Sequence, residues 1–466
     1  MGGLFSALQT TSTALEVYTQ ALGVSQANVA NASTPGYATQ RANILPIDLS
    51  GNGSGSDFIS LSSSGNALTD ATVQAASSQA GASQTAAQQL SPINQLFDIT
   101  GATGILAALQ QFSTAFSSLS VSPNDATLGA SALAAAGNVA AAFQTTATSL
   151  DTQQSQVASG IQSVVGQINT LAGQIQQLNV TAASESSIDP ATGANLRSDL
   201  QQLSSLVDIS TTTNPNGSIN VLAGGQLPLV LGDQAYALSA NPSAAQGAQV
   251  TSSAGGSSPD NFSGQLGALL NTQNGTLDQL LGSDGNPGTL NTLASGFASR
   301  VNTLLTSGTT SSGAAGVPIF TYDTTDPTNA ARTLALDTTV TPNQLGLATT
   351  GPPAQSNGIA NTLAALPSST NAAYLIAGES AVGLFGSIAA SVGQQLSDAQ
   401  TASTADQTAL TTAQANQQQQ EGVSLDREAV NVTTYERAYQ ANAQVVSVLN
   451  QLTADAVNLI SPTASA

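Results

Sequence analysis

The sequence predicts an α+β multidomain protein, in which paired coiled-coil-like terminal helices and a long-helix bundle domain carry a small inserted β-rich outer domain. Apolar residues recur with helical spacing near both ends of the chain and, over a longer stretch, at its centre. Strand-like alternation of apolar and polar residues follows the central pattern. Because each terminal helix must bury its apolar stripe, its simplest partner is the helix at the other terminus.

The N-terminal segment has a heptad pattern. Leu8, Leu15, Leu22 and Val29 recur every seven residues, which is typical of a helix that packs along another helix. The sequence Thr-Pro-Gly at residues 34–36 then ends the helix, because proline cannot continue it and glycine tolerates the turn.

The C-terminal segment mirrors the first. Apolar positions from Leu425 to Ile460 follow steps of three, four and seven residues, which predicts one amphipathic helix of about 54 Å.

The central segment, residues 150–178, has the most regular seam in the chain, with an amide- and hydroxyl-rich opposite face. Such a seam could mediate coiling between subunits or form the core of a bundle within one subunit, and we favour the bundle core. Weaker helical patterns occupy residues 106–116, 128–143, 195–206, 266–281, 290–305 and 372–420.

Short strands are predicted downstream of the central helix. Apolar and polar residues alternate at residues 218–222, and glycine-containing turn signals flank this segment. Residues 226–231 and 234–238 continue it, which predicts a small meander of strands. Short strands are also predicted at residues 317–322, 333–336 and 345–348. The resulting domain division is 1–45 with 422–466 for the terminal helical domain, 46–204 with 264–306 and 371–421 for the helical bundle, and 205–263 with 307–370 for the β-rich outer domain.

Composition narrows the function classes. The net charge is -20, only 7% of residues are charged, and histidine, cysteine and lysine are absent. The chain therefore has no basic footprint for nucleic acid, no Cys/His zinc site and none of the usual catalytic bases and nucleophile activators. A pair of carboxylates remains formally possible as a catalytic site, but the inventory disfavours an enzyme, and we expect no cofactor or metal.

Three polar motifs have simple structural interpretations. Asp323, Asp326 and Asn329, and likewise Asp284 with Asn286, could suggest calcium, but their spacing does not fit an EF-hand and clusters of this kind mostly form turns. Residues 51–55 (Gly-Asn-Gly-Ser-Gly) lack the lysine of a phosphate-binding loop and read as a connector.

Both ends of the chain resemble a known family. Residues 28–37 (Asn-Val-Ala-Asn-Ala-Ser-Thr-Pro-Gly-Tyr) are similar to the N-terminal signature of flagellar rod, hook and hook-associated axial proteins. Residues 422–426 (Gly-Val-Ser-Leu-Asp), Tyr435 and residues 438–443 (Ala-Tyr-Gln-Ala-Asn-Ala) resemble the family's C-terminal helix. In the middle, residues 112–116, 122–125 and 168–175 resemble the hook-associated protein 1 branch.

The resemblance implies a structural role. Members of that branch form a ring between hook and filament, their paired terminal helices line the inner tube, and the flagellar type III apparatus exports them unfolded without cleaving a signal peptide. The implied location is the extracellular flagellum, and the implied partners are copies of the chain, the hook protein, the second hook-associated protein and an export chaperone. Neither nucleic acid nor membrane insertion is expected.

The expected assembly interface draws on both terminal segments. The motif at residues 34–37 could be an assembly contact or only a helix-ending turn, and we favour the assembly contact. The expected interface residues are Leu8, Leu15, Leu22, Asn28, Asn31, Pro35, Gly36, Tyr37, Leu425, Tyr435, Tyr439, Asn442, Leu449, Leu452 and Leu459. Two alternatives remain: another axial subunit, such as the second hook-associated protein, hook or distal rod, or a surface adhesin that binds through the β-rich middle.

Overall fold

The computed structural model of the chain describes residues 2–45, 58–100, 103–184, 189–242, 247–257, 262–283, 285–351 and 354–460. Asp284 and residues 51–55, for which the sequence predicted a turn and a connector, lie outside the described residues.

Two long helices form the ends of the chain. Helix α1 covers Gly2–Ala30 and helix α12 covers Leu425–Ile460, and the two pack along each other. Both predicted terminal helices and their pairing are therefore confirmed.

A bundle of helices forms the body of the molecule. The longest member, α4, joins the predicted central seam to the weaker pattern before it and runs unbroken for 59 residues, which corresponds to about 89 Å. The helices of the body are α2 (Ala67–Gln95), α3 (Gly104–Val121), α4 (Ala126–Ser184), α5 (Pro190–Leu206), α6 (Gly264–Asn271), a π-helical turn (Thr272–Leu277), α7 (Asp278–Leu281), α8 (Gly288–Ser307), α9 (Ala330–Thr333), α10 (Gly358–Ala365) and α11 (Ala381–Glu421).

All described strand pairs are antiparallel. The strands are β1 (Gln40–Leu45), β2 (Phe58–Ser63), β3 (Ile209–Thr213), β4 (Ile219–Ala223), β5 (Leu227–Leu231), β6 (Gln234–Ala235), β7 (Leu238–Asn241), β8 (Gln249–Ser252), β9 (Phe320–Thr321) and β10 (Ala335–Leu336). Strands β3 to β6 form a four-stranded meander, β7 pairs with β8, β1 pairs with β2, and β9 pairs with β10.

The structure differs from the sequence prediction in two regions. The sequence did not predict helix α2 or the β1–β2 hairpin. The pattern of α2 is weak, because the helix is rich in Ala, Ser, Thr and Gln and has few large apolar residues. In residues 307–370 the predicted strands shrink to the two-residue strands β9 and β10, and α10 packs on α3 instead. The division into domains stays a prediction.

One continuous apolar core joins the bundle to the β-sheets. Leu150, Val157, Ile161 and Ile168 of α4 are fully buried in it, which confirms the bundle-core interpretation of the central seam. Among the described residues, none from α1 or α12 belongs to this core. The body can therefore fold around its own interior, and the terminal pair is attached at its surface.

Asparagines on helices fix extended segments to the bundle. Asn179 on α4 accepts a hydrogen bond from the Ile219 backbone N–H at 2.9 Å and donates to the Ile219 and Gly232 carbonyls, both at 2.8 Å. Asn28, Asn169, Asn274 and Asn302 make the same two-bond contact, with Gln40, Leu238, Ala248 and Phe320. We call these five contacts the asparagine clamps. Each satisfies both the backbone donor and the backbone acceptor of one extended residue, as a neighbouring strand would.

We expect Asn179→Asp to destabilise the full-length chain by about 3 kcal/mol, because a carboxylate cannot donate to the two carbonyls and places a charge at a position that is only 1% exposed. Urea unfolding followed by circular dichroism measures this. Asn138→Asp, on the exposed face of the same helix, should change the free energy of unfolding by less than about 0.5 kcal/mol. Equal effects of the two substitutions would contradict the clamp interpretation.

Candidate assembly site

The terminal helices form an antiparallel pair that projects from the body. The Tyr18 and Tyr435 rings meet across the pair with centroids 6.5 Å apart. At the base of the pair, the Thr39 N–H donates to the Glu421 carbonyl at 2.8 Å, so the end of α1 and the start of α12 lie together. The free ends of both helices therefore point away from the body.

Small residues line the buried seam of α1. Ala14, Val17 and Ala21 are buried against α12, together with Thr11 and Ser25. The predicted leucines Leu8, Leu15 and Leu22 are only half-buried and lie beside this seam. Small side chains let the two helix axes approach closely, while the leucines remain partly available to another partner.

Helix α12 leaves much of its apolar surface uncovered. Val430 is 63% exposed, Val448 58% and Leu452 50%. Leu425 and Tyr439 are also exposed, whereas Tyr435, Asn442 and Leu449 are half-buried on the side toward α1. The side chain of Leu459 lies outside the described residues. Both terminal helices thus form in the single subunit, yet the subunit alone does not cover them.

The signature at residues 28–37 builds a reverse turn. Asn28 is 1% exposed; its amide clamps Gln40, and its Oδ1 accepts a hydrogen bond from the Tyr37 hydroxyl at 2.9 Å. Asn31 donates to the Ala27 carbonyl. Asn28 and Tyr37 are therefore turned inward and shape the turn within the subunit, whereas Pro35 is exposed.

A buried carboxylate lies beneath this turn. Glu428 of α12 is 2% exposed and accepts a hydrogen bond from Asn431 at 3.3 Å. Burial, and then the negative charge of Glu428, raise the pKa of Tyr37, with a smaller contribution from Asp189. Burial and Glu428 also raise the pKa of Tyr435. Both phenols therefore keep their protons to higher pH than an exposed tyrosine does.

We expect the base of the pair to loosen in alkali. The folded-state pKa of Tyr37 is raised above its ordinary value of 10.0, so the stabilisation is complete below that pH and is lost as the pH rises through the folded-state pKa. Proteolytic release of residues 1–45 should accelerate above about pH 10. With Tyr37→Phe, cleavage should be faster at neutral pH, through loss of a hydrogen bond of about 1 kcal/mol, and should show a smaller alkaline step. An unchanged step would contradict the assignment.

Glu421 joins the terminal pair to the body. Its carbonyl accepts hydrogen bonds from the Thr39 N–H at 2.8 Å and the Ser64 hydroxyl at 3.0 Å. Its carboxylate accepts from the Asn66 N–H at 3.1 Å and from the Thr69 hydroxyl. A carboxylate at the first turn of α2 also interacts favourably with the helix dipole.

A second set of contacts lies beside Glu421. Arg197 of α5 pairs with Asp70 of α2 at 3.1 Å and donates to the Gly36 carbonyl at 3.3 Å, and Gln417 of α11 donates to Asp70 at 2.6 Å. These residues and those bound to Glu421 are called the joint below. The joint ties the turn after α1 to α2, α5 and α11 through polar bonds.

Gly36 is required in the joint for two reasons. Its φ of +74° lies in the left-handed region, and a Cβ there would lie 2.5 Å from the Ala194 carbonyl oxygen of α5. Sequence reasoning singled out Gly36 but missed Glu421 and Arg197. The available signals were one acidic residue closing a glutamine run and one of only six basic residues in the chain.

The described residues contain no group of three or more Asp or Glu side chains that could hold a metal ion. Asp323 accepts hydrogen bonds from the Thr325 and Asp326 backbone N–H groups, which confirms the turn interpretation. An 18-residue stretch of α4 has a mean hydropathy of 1.4 and is long and apolar enough to cross a membrane. Since α4 is the central helix of the bundle, the core accounts for this composition.

Two family profiles match the chain. The profile described as "Flagellar hook-associated protein FlgK helical domain" matches residues 90–320, which include the bundle helices α3 to α8. The profile described as "Flagellar basal body rod FlgEFG protein C-terminal" matches residues 414–459, which include α12. The two profiles describe different parts of flagellar axial proteins. Together they identify the chain as similar to flagellar hook-associated protein 1.

Relatives and a solved structure agree with this assignment. The chain is 25% identical to flagellar hook-associated protein 1 of Bacillus subtilis in an alignment of 519 positions, gaps included, which covers 98% of this chain and 99% of the relative. It is 26% identical to the Salmonella typhimurium protein of the same name over 57% of this chain and 50% of the relative. The flagellar hook junction protein FlgK from Burkholderia pseudomallei has a similar fold, with a TM-score of 0.64 at 16% identity over 76% of this chain and 100% of the other.

These similarities identify the chain as a structural component of the bacterial flagellum. Hook-associated proteins are parts of the extracellular flagellum. The terminal helical pair and the joint are therefore candidate assembly elements of a flagellar subunit.

Proposed function

We propose that the chain forms the junction ring between hook and filament and assembles through its terminal helices. The observation that supports this proposal is the incomplete cover of α12 in the single subunit, where Val430, Val448 and Leu452 are at least half exposed. Burying one such side chain stabilises an assembly by about 1.5–3 kcal/mol. Repetition of the contact in every copy around an axis would close a ring.

The same helices would serve as the inner, tube-lining domain, formed by residues 1–45 and 422–466. The bundle and the β-rich segments would lie outside it, connected through the joint. The neighbours of the ring would be the hook protein on one side and the second hook-associated protein on the other. The joint would then set the angle between the inner and outer parts of each subunit.

Export in the unfolded state is part of the proposal. The chain has no cysteine, so no disulfide must be broken before passage through a narrow channel. The terminal helices bury little apolar surface in the single subunit, and an isolated helix gains most of its stability from packing. Free ends of this kind suit an escort by an export chaperone and recognition of an uncleaved N-terminal region by the type III apparatus.

A purely structural role fits the side-chain inventory. Without histidine, cysteine or lysine, general acid–base catalysis, including the activation of a serine or threonine nucleophile, would depend on carboxylates or tyrosines. The buried carboxylate Glu428 and the phenol Tyr37 lie at the base of the helical pair, where they connect helices.

Deletion of the gene tests the proposal. Cells without the protein should build hooks that carry no filament and should release flagellin into the medium, and a plasmid copy should restore filaments. Normal filaments in the deletion strain would refute the junction role. Loss of the hook itself would indicate a rod or hook subunit instead.

A further inference from the structure

The surface of the helical pair carries two separate apolar edges. The first, the α1 edge, consists of the half-buried residues Leu8, Leu15, Leu22 and the exposed Val29. The second, the α12 edge, consists of the exposed residues Val430, Val445, Val448 and Leu452. Neither edge belongs to the seam that joins the two helices. Apart from the pairing of α1 with α12, no described helix of the body packs against either of them, although the β1–β2 hairpin contacts α1.

The two edges face opposite sides of the pair. At about 100° per residue, the α1 edge lies roughly 100° around its helix from the buried Ala14 and Ala21, and the α12 edge lies roughly as far from Tyr435 in the opposite rotational sense. Because the helices are antiparallel, these rotations bring the edges to opposite sides. On the side of the pair that carries the α1 edge, the surface of α12 is polar and includes Glu436.

The edges also match along the helix axis. Tyr18 lies level with Tyr435, and in an antiparallel pair each step back along α1 corresponds to one step forward along α12. Leu8 is therefore level with Val445, and Leu22 is level with the residue next to Val430. The complementary apolar positions of two copies would meet without any axial shift.

Charge follows the same register. Arg437 lies on the α12 edge between Val430 and Val445, and Glu16 on α1 is level with it. Both side chains are exposed, and neither forms an ion pair with a described residue. In a side-by-side arrangement of copies, the carboxylate of one would lie near the guanidinium of the next, while the arginine stem covers apolar surface.

We infer that the α1 edge of one copy docks on the α12 edge of the next, with Glu16 beside the neighbour's Arg437. This inference rests on the proposed ring and specifies the contact that builds it. The two edges differ, so the contact is head-to-tail: each copy offers one edge and receives the other. Such a contact continues around an axis until the ring closes.

Disulfide trapping tests the contact, because the natural chain has no cysteine. A chain carrying Leu8→Cys and Val445→Cys should, after mild oxidation of isolated hook–filament structures, give a ladder of covalent multimers on a non-reducing gel. The two positions face opposite sides of one copy, so a bond between them must join two copies. Each single substitution, and Leu8→Cys combined with Glu436→Cys, should give no ladder.

Charge reversal supplies an independent readout. Glu16→Arg and Arg437→Glu should each reduce incorporation at least several-fold, and the double reversal should restore it. Suppose that the natural chain restores filaments in the deletion strain, but the trapping pair gives no ladder and the double reversal does not restore incorporation. The docking inference is then overturned, while the junction role stands. If the deletion strain grows normal filaments, the junction role itself fails.

Discussion

Replacing both Leu15 and Leu449 with aspartate should abolish incorporation into the flagellum and leave the body of the subunit folded. Leu15 lies on the α1 edge, and Leu449 is half-buried on the side of α12 that faces α1. A carboxylate at either position must be desolvated when the helices pack, which costs several kcal/mol for an unpaired charge. Copies would then lack both a firm pair and a complete edge.

The body should survive this change, because none of the described residues of α1 or α12 contributes to the main core. Urea unfolding of the purified protein measures whether the body is folded, and electron microscopy of a complemented deletion strain measures incorporation. Gln9→Asp with Gln451→Asp adds the same charge at exposed positions of the same helices and should incorporate normally. Normal filaments in cells that carry the Leu15→Asp, Leu449→Asp variant would contradict an assembly role for the terminal helices.

Gly36→Val is expected to disconnect the terminal pair from the body. A β-branched residue at a φ of +74° is strained by about 1–2 kcal/mol or more, and its Cβ would overlap the Ala194 carbonyl oxygen, which is fixed in the backbone of α5. The turn must move, so Arg197 loses its bond to the Gly36 carbonyl. Proteolytic release of residues 1–45 should accelerate at least tenfold, and incorporation should fall to background.

Gly104→Val separates the two causes. Gly104 also has a positive φ, of +77°, but an added Cβ there meets no atom within 4 Å. This control should lower the free energy of unfolding by a similar strain term and still incorporate. If the two variants behave alike, the close approach between Gly36 and α5 has no part in assembly.

The sequence was sufficient for the elements that depend on regular apolar spacing. The terminal helices, α4 and the meander were all predicted from such patterns. The predicted partner of each terminal helix was also right, but the residues predicted for the seam between the two helices were not. Heptad leucines suggested the seam itself, whereas the structure places Ala14 and Ala21 there and leaves Leu8 and Leu15 at its edge. A pattern of large apolar residues cannot distinguish these cases, since small residues also bury well.

Polar connections were the part that sequence reasoning missed. Asn179 and Asn169 interrupt apolar stripes and look like dilution of a helical face, although each fixes a strand to the bundle. Arg197 and Glu421 are far apart along the chain, and only the folded backbone brings their neighbours together at the joint. Helix α2 depends on packing with α11, α6 and α5, so its weak pattern carried little signal.

Helix α4 has a mechanical consequence for a rotating organelle. Its first half packs with α3 and its second half carries the meander and the β7–β8 pair, so one uninterrupted rod spans both regions of the body. Moving one region relative to the other would require deforming α4, a hydrogen-bonded helix of about 89 Å. Each subunit should therefore transmit torque as a stiff strut, and compliance between hook and filament should be concentrated in the polar joint.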